Sequence, residues 1–148
     1  MPPRKERIPV VFDTNVVIGQ ALSPVRRSAN ARVYDLWLVE RRLQLVVSPP
    51  LIAEYIEVLE RIGAAPQRIS RLQGRLLTSS TVTRTNLGKR FSFSRDPDDD
   101  MLLATAHTGR AAYLVTNDRD LLEIPDEARR PFRFEIVKPA ELLRLLRA

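Results

Sequence analysis

Short continuous apolar runs punctuate the chain at Val10-Val11-Phe12, Leu45-Val46-Val47 and Ala112-Tyr113-Leu114-Val115. Runs of this length that are rich in β-branched residues are expected of strands buried on both faces, as in parallel sheets. A short polar stretch over Ser80 to Thr85 and an alternating one over Phe132 to Val137, read as a strand at the sheet edge, bring the expected strands to about five. Between them the period lengthens to that of helices. Val33, Leu36 and Trp37 form an apolar stripe within Ala29 to Arg42, opposed by Arg32, Asp35, Glu40 and Arg41. Ser48-Pro49-Pro50 starts a helix with a capping serine and early prolines, running to a stop at Gly63. Its apolar face is Ile52, Ile56, Leu59 and Ile62, broadened by Leu51, Tyr55 and Val58, and Glu54 stands at its margin. Further helices are expected over Ala65 to Thr78, over Pro97 to His107 with Gly109 closing it, and from Pro139 with Leu142, Leu143, Leu145 and Leu146 inward. Strands alternating with helices imply an α/β fold whose parallel sheet is covered on both faces through right-handed crossovers.

Length and composition narrow this picture without redirecting it. A chain of 148 residues, 44% of them hydrophobic, suits one domain with a real core. The expected division is a flexible basic tail over residues 1–8 and a single domain over 9–148. Cysteine is absent, which excludes disulfides, thiolate chemistry and cysteine-bound zinc. No apolar run approaches the roughly 18 residues needed to cross a bilayer, and a cytoplasmic location is expected.

The charge changes the picture more. The net charge is +6, with arginine supplying 21 of the 24 basic residues, which points to polyanionic partners. From Arg61 to Arg95 there are eight basic residues and no acid. Arg68, Arg71 and Arg75 form one stripe along the expected helix, a candidate phosphate-contact face, and Lys89, Arg90 and Arg95 continue the basic stretch. Trp37, Phe91 and Phe93 read as packing residues rather than base-stacking platforms.

Directly after that stretch, Asp96-Pro97-Asp98-Asp99-Asp100 sets four carboxylates in five residues before an apolar run. Asp96 reads as the helix N-cap with Pro97 at the first helical position, and acids in the first turn favour the helix dipole. Asp100, with Leu103 and Ala104 following it on its own face, is harder to explain by capping. Asp13 closes the first strand, and Asp118 and Asp120 follow the strand that ends at Val115. In parallel α/β sheets, ligands bind beyond the carboxyl ends of the strands. These acids, joined by Glu54, would make an oxygen-only pocket suited to Mg²⁺ or Mn²⁺, ions that serve phosphodiester hydrolysis. No glycine-rich phosphate loop, Ser-His-Asp order or Cys-His pair competes, and His107, the only histidine, reads as a rim or packing residue.

The segments Val11-Phe12-Asp13-Thr14-Asn15, Glu54, Asp96 to Asp100 with the continuation Leu102-Leu103-Ala104-Thr105-Ala106, and Leu114 to Leu121 resemble, in order and spacing, the PIN-domain nucleases. The likeness is greatest to the small prokaryotic toxin components of toxin-antitoxin pairs. It implies a three-layer α/β/α sandwich and a metal-dependent endoribonuclease. It also implies frequent homodimers and inhibition by a small antitoxin protein. Carried over by position, Asp13, Glu54, Asp100 and Asp118 are the catalytic acids and hold one or two Mg²⁺ or Mn²⁺ ions. Asp99 is an alternative to Asp100, and Asp120 to Asp118; Thr14, Asn15 and Thr116 support the acids. Two rival readings remain. One keeps the fold as a non-catalytic module binding RNA or a protein partner. The other, a phosphatase with a strand-end aspartate, would need a second acid where Asn15 stands.

Overall fold

The computed structural model describes residues 6–22, 28–88 and 97–148. Five strands, β1 (Ile8–Phe12), β2 (Leu43–Val47), β3 (Val82–Arg84), β4 (Tyr113–Val115) and β5 (Glu135–Val137), form one parallel sheet in the order β3-β2-β1-β4-β5. Helices flank it: α1 (Thr14–Leu22), α2 (Ala29–Leu38), α3 (Pro49–Arg61), α4 (Pro66–Thr78), α5 (Pro97–Thr108), α6 (Arg119–Leu122), α7 (Asp126–Arg129) and α8 (Pro139–Leu145). This is the three-layer α/β/α sandwich expected from the alternation of periods. β1 begins at Ile8, which pairs with Leu43, so the sheet starts one residue before the expected domain boundary.

The central strands are buried as their continuous apolar runs require, with Val10, Val11, Phe12, Leu114 and Val115 all fully enclosed. Trp37 is a core residue: its indole N–H donates to the Thr81 carbonyl at 3.1 Å, and its ring meets Phe12 and Tyr34 edge-on. No helix among the described residues is long and apolar enough to cross a membrane.

Helix ends are settled by local chemistry, partly as the sequence implies. Gly63 follows α3 with φ +79°, and the Gly63 and Ala64 amides return to the Glu60 and Leu59 carbonyls. Only glycine takes this left-handed stop without steric cost. Ser48, by contrast, makes no side-chain cap to α3. Its buried hydroxyl lies 2.8 Å from Thr105 Oγ1, and Thr105 already donates to the Met101 carbonyl, so Ser48 is the donor. The serine thus ties the start of α3 to α5. Gly109 serves close packing rather than a left-handed turn, since a Cβ there would lie 2.2 Å from Val46 Cγ1, and the positive φ falls on Arg110. The Asp96 cap, the Phe91 and Phe93 packing, and the candidate contacts Lys89, Arg90 and Arg95 lie outside the described residues.

Candidate functional site

From β1 the chain moves outward to β2 and β3, then returns to the other side of β1 for β4 and β5. The reversal falls between β1 and β4, and such a switch point leaves a crevice at the strands' carboxyl ends. Phe12 pairs with Val115 there, and the Asp13 amide donates to the Val115 carbonyl at 2.9 Å. The sheet therefore delivers Asp13 and the Thr116-Asn117-Asp118 turn to the same crevice.

Asp13 is buried, with 7% of its surface exposed. Thr116 Oγ1 donates to Asp13 Oδ2 at 2.6 Å and accepts the Asp118 amide at 2.9 Å. Burial is the largest influence on the Asp13 carboxyl and raises its pKa, and the charge of Asp118 adds to the rise. Hydrogen bonds from Thr116 and from the Thr14 and Asn15 backbone act against it. The competition identifies two acids close enough to repel, one of them deprived of water. Asp13 forms no ion pair with a described basic residue. Asp118 is half-buried and its carboxylate accepts the Asp120 amide at 2.9 Å, capping α6, while Asp120 is exposed. The geometry thus brings Asp118 rather than Asp120 to Asp13.

Glu54 is half-buried on α3, and Thr14 Oγ1 donates a hydrogen bond to its Oε2. Its neighbour Tyr55 is fully buried and donates its hydroxyl to the Phe12 carbonyl. Burial pushes the Tyr55 phenol well above its ordinary value, and the negative charges of Asp13 and Glu54 push it further. Asp13 and Glu54 are therefore both within electrostatic reach of one phenol. Tyr55 fixes the tip of β1 to α3 immediately before Asp13. The apolar pattern of α3 gives Tyr55 no such role; its only sequence signal is a hydroxyl-bearing ring among aliphatic core positions, next to Glu54.

On α5, Asp99 is buried with 8% of its surface exposed, and Asp100 is half-buried. Burial favours Asp99 over Asp100 as the inward acid. With α5 starting at Pro97, Asp99 is buried together with Leu102, Leu103, Ala104, Thr105 and Ala106, while Asp100 is half-buried. Thr14 is buried beside Asp13, whereas Asn15 points to solvent.

The match to the PIN domain extends over residues 9–120. The chain belongs to the PIN-domain family. PIN domains are generally nucleases, so the family assigns a nuclease-type function as a class, and its span runs from β1 through the Thr116 to Asp120 turn. Among solved structures, the crystal structure of PAE2754 from Pyrobaculum aerophilum shares the fold at a TM-score of 0.54 and 19% identity, covering 99% of this chain and 100% of that one. No curated protein matches the sequence.

The donor set of this PIN domain is all oxygen and mostly carboxylate, which in kind fits a hard divalent cation. Two acids held in mutual repulsion without a basic partner fit the same ion. Among the described residues no group of three or more Asp, Glu or His side chains stands close enough to hold one as placed, with Glu54 turned to Thr14 and Asp13 to Thr116.

Arg68, Arg71 and Arg75 are exposed along α4, as their spacing implies. They edge a groove of about 520 Å³ with Tyr34, Leu38 and Leu59 among its apolar walls. The Arg75 charge is felt by Tyr34, whose phenol burial raises to about 12.

Proposed function

We propose that the protein is an endoribonuclease that hydrolyses RNA phosphodiesters with Mg²⁺ or Mn²⁺, working as the toxin of a toxin-antitoxin pair. The observation that carries this reading is the buried Asp13 beside Asp118 at the sheet's switch point, two carboxylates in repulsion with no described basic partner. One or two ions would be held by Asp13, Glu54, Asp118 and an acid of α5, Asp99 or Asp100. Bound there, a divalent ion lowers the pKa of water and offsets charge building on the phosphate. Thr116 orients Asp13 and favours its ionised form against the effect of burial, Thr14 restrains Glu54, and Tyr55 keeps the β1 tip in place. Arg68, Arg71 and Arg75 supply backbone contacts that position RNA without reading its sequence.

The test is cleavage of a mixed RNA pool by purified protein with Mn²⁺, with excess chelator, and with Asp13→Asn. Metal-dependent cutting abolished in the variant is the expected result; no cutting under any metal condition overturns it. The toxin role further calls for a small acidic partner that copurifies and inhibits, and for a homodimer seen by light scattering.

A second reading, a non-catalytic RNA-binding module, draws support from the separate engagement of Asp13 and Glu54 by threonines. Tight RNA binding unaffected by chelator, without cleavage, would favour it.

A further inference from the structure

A second basic site lies at the opposite end of the sheet from the acids. Arg110 precedes β4 and Arg133 precedes β5, and because the two strands are parallel neighbours both arginines sit at their amino-terminal edge. With His107 at the end of α5 they line a pocket of about 600 Å³ that Pro131 also lines and whose floor is the buried Ala106 and Phe134. Among the described residues no acid lines it. All three basic side chains are exposed, and neither guanidinium takes part in an ion pair or hydrogen bond with a described residue. His107 is seated by rings: it meets Phe132 edge-on at 5.8 Å, and Phe132 stacks on Phe134 at 4.8 Å. Arg110 holds its place on a left-handed backbone, φ +55°, where the α5 to β4 turn is pinned by the Ala111 amide on the Ala106 carbonyl at 2.9 Å.

We infer that this pocket binds a phosphoryl group, with Arg110 and Arg133 as its forked donors and His107 at its mouth. Guanidinium pairs match tetrahedral oxyanions through parallel charge-assisted hydrogen bonds, and two unpaired arginines converging on one concavity leave that capacity unused. The apolar floor offers a face for a group attached to the phosphate, such as a nucleoside. Inorganic phosphate and a nucleotide share the recognising chemistry. The site is separate from the acid crevice and does not depend on cleavage of RNA.

His107 is the only histidine, so its ring gives a single reporter in proton NMR. At fixed pH and ionic strength, the full-length protein is titrated with inorganic phosphate, adenosine monophosphate and adenosine. The expected result is a saturable shift of the His107 signal with both phosphates and none with adenosine. Tighter binding of the nucleotide assigns the natural ligand to a phosphorylated nucleoside, and equal binding assigns it to phosphate alone. Arg133→Gln and Arg110→Asn, the latter tolerant of a left-handed backbone, each weaken binding roughly tenfold, whereas Arg61→Gln, which removes the same charge from α3, does not. Absence of a saturable shift, an equal response to adenosine, or equal weakening by Arg61→Gln overturns the assignment.

Discussion

Thr116 holds Asp13 from the neighbouring strand end: its hydroxyl donates to the carboxylate at 2.6 Å while accepting the Asp118 amide at 2.9 Å. One side chain thereby sets the spacing of two acids that repel each other. Thr116→Val keeps the shape and removes both bonds. Losing a bond to a buried charged group costs about 1.5–3 kcal/mol, and a supporting residue of this kind typically governs activity 10- to 100-fold. Because the Thr116 bond lowers the Asp13 pKa, the acid limb of the cleavage pH profile should move to higher pH in the variant. A profile that falls in height without moving would mean that Thr116 only stabilises the fold.

Asp13 bears on stability in the opposite sense from activity. Its folded pKa lies above the ordinary value of 3.8, so the unfolded chain releases the proton first as pH rises. Stability is unaffected below the unfolded value, declines between it and the raised folded value, and stays lowered above. In chelator at neutral pH, Asp13→Asn should therefore raise the melting temperature, whereas in Mn²⁺ the same variant should lose cleavage. Melting curves of both proteins from pH 3 to pH 8 should converge at the acid end.

The Tyr55 hydroxyl is the only link through which α3 grips the Phe12 carbonyl among the described contacts. Tyr55→Phe leaves the packed ring and removes that donor, at a cost of about 1–3 kcal/mol for the buried acceptor left behind. Denaturant unfolding should show a lower midpoint with unchanged slope. Leu114→Ala, on the enclosed strand β4, serves as a comparison, with an expected cost of about 2–5 kcal/mol.

Asp118 and Asp120 separate in the same assay. Asp118→Asn should depress cleavage strongly, and Asp120→Asn, at an exposed position that approaches Asp118 through its backbone amide, should leave it near wild type. Equal losses would assign Asp120 a share in the site.

The α4 arginines act through salt. Replacing Arg68, Arg71 and Arg75 together with glutamine should weaken single-stranded RNA binding and flatten its log-log salt dependence by about 2, three phosphate contacts at about 0.7 each. An unchanged slope would place the RNA path elsewhere on the molecule.

The sequence by itself determined the order and type of the elements and which acids end strands. Strand burial writes a continuous β-branched run, helix packing writes a period of 3.6, and both are local in the chain, so β1, β2, α3 and α4 are legible in the sequence. Gly63 is legible for the same reason, because a left-handed stop depends on one residue's own backbone. The tertiary structure decided what is non-local. Ser48 looks like a cap and instead joins α5 through Thr105, 57 residues away; Thr116 meets Asp13 across 103 residues and Tyr55 meets Phe12 across 43. Asp99 and Asp100 are adjacent in sequence, and only the packing of α5 separates a buried carboxylate from a half-buried one. Side-chain partnership and desolvation arise when strands take their order in the sheet. The sequence could therefore offer candidate acids, but the parallel pairing of β1 with β4 decided that Asp13 and Asp118 lie together.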